Sequence, residues 1–93
     1  MAGESRPRDI REEEAFKDAK NKLRHSAKRL DEVLFGVTWV MARKPESFPK
    51  IPGLDLYVAK TDATPNTPVL YIWFTFDDAV VSLLLIEEAP DLE

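Results

Sequence analysis

Side chains able to do acid–base or nucleophilic chemistry are scarce in this chain. There is no cysteine, and the one histidine, His25, lies among Lys22, Arg24, Lys28 and Arg29. Such a cationic neighbourhood disfavours a protonated imidazole, and His25 reads as a solvent-facing helical residue. Asp77-Asp78 has no further ligands at loop spacing, and Glu87-Glu88 reads as a solvated strand end. Gly3, Gly36 and Gly53 are too scattered to build a phosphate-cradling loop. No catalytic residue, metal ligand or cofactor site is predicted.

Two patterns suit binding. The first is a basic cluster, in which Lys17, Lys20, Arg24 and Lys28 fall on one helical face at 100° per residue. It reads either as a solvated face or as an electrostatic footprint for nucleic acid or an acidic protein. No aromatics interleave with it, so it offers no stacking platform for single strands. The second is an outer sheet face holding Tyr57, Tyr71 and Trp73 beside Val80 and Leu84. Either the amino-terminal arm or a partner covers such a face, and Trp and Tyr are common interface anchors.

The elements that position these residues follow from periodicity. Residues 1–8 read as a flexible arm, and 9–93 as one α+β domain. Phe16, Ala19, Leu23, Ala27, Leu30, Leu34, Val37 and Met41 recur at three- and four-residue steps, giving a helical layer over about 12–44. Pro45 stops it. As one helix this layer would be about 45 Å long, so a helical hairpin with a break near His25–Ser26 is the alternative, and Asp31 could cap a second helix. A proline-rich connector then leads to a sheet over about 54–86.

In that sheet Leu54, Leu56 and Val58 alternate with Tyr57, and two stronger strands cover 69–76 and 79–86. An Asp77-Asp78 tip sets Phe76 opposite Ala79, Phe74 opposite Val81, Ile72 opposite Leu83 and Leu70 opposite Leu85. The expected fold is an amino-terminal helical hairpin, or one long helix, packed on a three-stranded antiparallel β-meander.

Composition agrees with one soluble domain. The 93 residues are 44% hydrophobic and 32% charged, with a net charge of −4. No apolar run is long enough for a membrane span and no signal peptide is visible, so the expected location is cytoplasmic. The charge is polarised: residues 1–50 carry twelve basic and nine acidic side chains, net +3, whereas 51–93 carry one and eight, net −7.

The order of a helix through Arg43, the run Lys44-Pro-Glu-Ser-Phe-Pro, the step Ile51-Pro-Gly, a strand from Leu54 to Thr61 and the hairpin Leu70–Ile86 resembles the RelE/ParE superfamily of bacterial toxin–antitoxin toxins. The resemblance spans about two-thirds of the chain, residues 30–88. It implies a helical pair on an antiparallel sheet, usually with a short strand before the first helix. Residues 1–9 offer no strand pattern. The ribosome-dependent ribonuclease branch places Arg, Lys, His or Tyr on the sheet and at the carboxyl end, whereas this hairpin has no basic residue and the chain ends Glu87-Glu-Ala-Pro-Asp-Leu-Glu93. The resemblance therefore implies a toxin-like component that acts by protein binding, with an antitoxin-like partner on the Tyr57/Tyr71/Trp73/Leu84 face. A non-catalytic adaptor that self-associates into a homodimer is the alternative, and a ribosome-dependent mRNA ribonuclease the second. Nucleic acid would use the basic helix face.

Overall fold

In the computed structural model, which describes residues 7–23, 30–61 and 69–89, a strand β1 (Asp9–Glu12) precedes two helices, α1 (Glu14–Leu23) and α2 (Leu30–Arg43). A short 3-10 turn (Pro45–Ser47) leads to β2 (Tyr57–Lys60), β3 (Leu70–Phe76) and β4 (Val80–Glu88). The helical layer is thus two helices. Each has acidic side chains in its first turn and basic ones in its last, complementing the backbone dipole. The last turn of α2 closes with the Lys44 amide on the Val40 carbonyl (2.7 Å), and Pro45 cannot continue it. The expected break at His25–Ser26 lies outside the described residues.

The sheet corrects the expected meander. It has four strands in the order β1-β4-β3-β2, and it is mixed, because β1 runs parallel to β4 with Asp9 opposite Val80 and Glu12 opposite Leu83. The segment Asp-Ile-Arg-Glu holds one apolar residue, so neither alternation nor propensity marks it as a strand. Its conformation comes from its neighbours. The Arg8 amide donates to Ala42 O (2.9 Å) and the Asp9 amide to Ala79 O (2.9 Å), which ties the segment to α2 and to the hairpin tip. The helical layer accordingly starts at Glu14 and not at Glu12.

The hairpin register also differs from expectation. The Asp77 carboxylate accepts the amides of Ala79 (2.8 Å) and Val80 (2.9 Å), and the Asp77 amide donates to Val80 O (3.0 Å). These bonds move the tip to Asp78–Ala79, so Phe76 opposes Val81 and Phe74 opposes Leu83. A two-residue shift leaves the faces unchanged. A bulge then intervenes: Trp73 opposes Leu85 and Ile72 opposes Ile86, which leaves Leu84 as the extra residue. Beyond it the faces exchange. Ile86 enters the core at 2% exposure and Leu85 is turned out at 38%.

Strand β2 is read in the opposite phase as well. Ile51-Pro52-Gly53-Leu54 forms a turn closed by the Leu54 amide on Ile51 O (3.1 Å), with Gly53 at φ +80° where a side chain would be strained. Proline followed by a positive-φ glycine is the type II arrangement. The turn folds Pro49–Ile51 back along the strand, with the Val58 amide on Pro49 O (3.0 Å) and the Ile51 amide on Leu56 O (2.8 Å). The ladder therefore starts at Tyr57. Tyr57 and Ala59 share the inner face with Phe74 and Ile72, whereas Val58 and Lys60 point outward with Trp73 and Tyr71.

Both helices supply the inner face. Phe16 of α1 and Leu30, Leu34 and Met41 of α2 form one core with Leu70, Ile72, Phe74, Val81, Leu83 and Ile86. Among the described residues, no helix is long and apolar enough to cross a membrane.

Candidate functional site: a groove on the outer sheet face

Two cross-strand rows build the outer face beside the bulge. One runs Val58, Trp73, Leu85 and the other Lys60, Tyr71, Glu87. The rings of Tyr71 and Trp73 meet edge to face, with centroids 6.4 Å apart. Trp73 Nε1 donates to Glu87 Oε2 at 3.1 Å, so the indole has its polar partner and its ring remains for apolar contact. Phe48 and Pro49 rise beyond β2 and close the side. With Val58, Lys60, Tyr71 and Trp73 they line a groove of about 490 Å³. The wall is anchored inward: Phe48 lies edge-on to the core ring of Phe74, 5.4 Å between centroids.

This arrangement can receive apolar side chains. Lys60 supplies a cation on the same face and Glu87 an anion, each opposite Tyr71 in the ladder. Among the described residues, no three His, Asp or Glu gather as a metal ion would need.

The structure separates the residues that the sequence grouped. Tyr71 and Trp73 line the groove together. Tyr57 lies on the other side of the sheet, against Phe74 (5.7 Å) and Phe76 (4.9 Å), where it packs on the core. Leu84 is the half-buried residue skipped at the bulge, and Leu85 stands opposite Trp73 in its place. Of the basic face, Lys17 is exposed and Lys20 is engaged with Glu12 of β1, 2.8 and 3.0 Å to its two oxygens. That ion pair holds β1 against α1. Arg24 and Lys28 lie outside the described residues.

Phe48, Pro49, Val58 and Lys60 line the groove without being marked for it by the alternation in the sequence. The available signal was Pro52-Gly53: a tight turn there returns the Phe48-Pro49 segment to the strand and reverses the phase of the alternation that follows. At the far end of the sheet, backbone amides of Ala79 and then Val80, with the charges of Arg11 and Arg8, hold the Asp77 carboxyl below its ordinary pKa. That carboxylate organises the hairpin tip and lies outside the groove. Compared with known protein families, with proteins of curated function and with solved structures, the chain matches none.

Proposed function

We propose that this chain is a toxin-like component of a bacterial toxin–antitoxin pair that works by protein contact, with its outer-face groove as the partner's seat. The observation that carries this reading is the groove itself: Tyr71 and Trp73 set on a hydrogen-bonded ladder, walled by Phe48 and Pro49, with one cation and one anion on the same face. Aromatic anchors with few rotatable bonds are what interface hot spots use. The partner segment would present apolar side chains to the groove and a carboxylate to Lys60.

Two further observations favour the RelE/ParE-like reading and its binding branch. A strand stands before the first helix, as the resemblance implies, although residues 1–9 gave no pattern for it. The hairpin strands carry no basic side chain, and Arg11, which reaches the outer face from β1, is engaged with Glu13 (3.0 Å) and Ser82 (3.2 Å). Phosphodiester cleavage would need such cations available to developing negative charge.

The test is expression of the chain alone and together with the product of the adjacent gene. Growth arrest relieved by the neighbour, with a co-purifying complex that Trp73→Ala disrupts, is the expected result. Normal growth with no complex would overturn the proposal. Cleavage of ribosome-bound message by the purified chain would replace it with the ribonuclease reading.

A further inference from the structure

Helix α2 is apolar on two opposite sides. One side enters the core through Leu30, Leu34 and Met41. On the other, Phe35 is 73% exposed, Trp39 52% and Val40 37%. An amphipathic surface helix needs only the first of these stripes. Phe35 and Trp39 are one turn apart, so they form a continuous patch. Trp39 is also fixed in place: the Arg43 guanidinium lies 3.8 Å from its ring centroid and donates to its carbonyl at 3.0 Å. A large ring already held in one conformation loses little freedom when something docks on it.

Gly36 lies beside Phe35 and Trp39 on that patch. A mid-helix glycine costs roughly 0.5–1 kcal/mol relative to alanine. Nothing among the described residues asks for it, because a side-chain carbon built there would meet no atom within 4 Å outside the helix's own neighbouring backbone, and the backbone angle is ordinary. The space in front of Gly36 suits a group arriving from outside.

The patch complements itself when reversed. Read along the helix it runs Glu32, Phe35, Gly36, Trp39, Val40, Arg43. Set antiparallel to a second copy, Glu32 faces Arg43, Phe35 faces Val40, and Gly36 faces Trp39. Opposite charges meet at both ends, and the largest side chain meets the smallest at the centre. A parallel pairing would put like charges together. Self-complementarity of one patch is what a two-fold symmetric contact requires. We propose that α2 is the seam of an antiparallel homodimer, with the two-fold axis passing between Gly36 and Trp39 and the Trp39 ring of each copy seated on Gly36 of the other. The proposal does not depend on the toxin-like reading, and the groove stays open in the dimer because it lies on the opposite side of the sheet.

A seam one helix long, about 21 Å, makes a small contact, and small interfaces belong to weak, reversible complexes. Sedimentation of the full chain from about 5 to 500 µM should show a monomer–dimer equilibrium. Trp39→Glu should raise the dissociation constant at least about 30-fold, the range of a hot-spot loss. Its circular dichroism should be unchanged, because the ring is outside the core. Orientation is read by cross-linking, since the chain has no cysteine of its own. Glu32→Cys and Arg43→Cys chains treated with a short bis-maleimide should link to each other when mixed, and neither should link to itself. A chain that stays monomeric at the highest concentration overturns the proposal. So does a dimer that survives Trp39→Glu but not Trp73→Glu, or self-linking of either cysteine variant.

Discussion

Strand β3 shows two surfaces built by one run of seven residues. On one side Leu70, Ile72 and Phe74 are fully buried, while on the other Tyr71, Trp73 and Thr75 are half-covered. The inner residues owe their burial to a second layer, the two helices. Among the described residues, the outer side chains meet neighbours on their own face, such as Tyr71 against Trp73 and the indole N–H on Glu87, with Phe48 and Pro49 at the side. Alternation along a strand thus divides the work: the inner side chains hold the fold, and the outer ones carry a polar handle and line the groove.

The sharpest way to break that division is to truncate neighbours on β3. Phe74→Ala removes a ring that touches Phe48 and Tyr57 and opens a cavity, at a cost of about 3–5 kcal/mol. Against a total of roughly 5–15 kcal/mol, this should bring the chain close to unfolding in a urea titration. Trp73→Ala should change stability by no more than about 1 kcal/mol while abolishing the partner binding proposed for the groove. Equal losses of stability would mean that the outer face is structural after all. Phe48→Ala should lose something of both, since its ring meets Phe74 and also walls the groove.

A finer test lies at the bulge. Leu85 and Ile86 are chain neighbours of nearly equal volume, yet one is 38% exposed and the other 2%. Ile86→Ala should cost about 2–5 kcal/mol and Leu85→Ala under about 1 kcal/mol by the same denaturation measurement. The reverse order would show a ladder running on without the extra residue Leu84.

These same positions show what the sequence could and could not reveal. Helical periodicity marks Phe16, Ala19, Leu23, Leu30, Leu34, Val37 and Met41, which are in the core or packed against it, because a core-facing stripe depends on local spacing alone; Ala27 lies outside the described residues. The strength of β3 and β4 was equally legible, and with it the placement of Tyr71 and Trp73 outward. The exchange of Leu85 and Ile86 was not, since a bulge inserts one residue without any change in residue type. Tyr57 lies on the inner face and not the outer one because Leu54 belongs to a turn whose hydrogen bonds decide the phase of the strand that follows. Strand β1 has no pattern of its own, and its pairing with Val80–Leu83 closes a contact across some seventy residues. Phe35 and Trp39 lie off the helical stripe, and a single apolar stripe is enough to account for a surface helix, so the pattern of the sequence gives them no role.

The smallest expected effect concerns what keeps the two faces in register. Asp77 titrates below its ordinary value because its ionised form accepts the Ala79 and Val80 amides. A carboxyl whose pKa is depressed on folding contributes stability above its unfolded pKa, and that contribution is lost as the pH falls through the folded value. Acid should therefore loosen the tip first, read as faster amide exchange at Ala79 and Val80 while Ile72 and Leu83 stay protected. Asp77→Asn keeps an acceptor oxygen and should remove the pH dependence; Asp77→Ala should leave the tip open at every pH. In neither variant should the faces exchange. A one-residue slip would drag Phe74 and Leu83 into water, and that penalty far exceeds two exposed hydrogen bonds. If Asp77→Ala instead exposed Phe74, the tip and not the core would be setting the register.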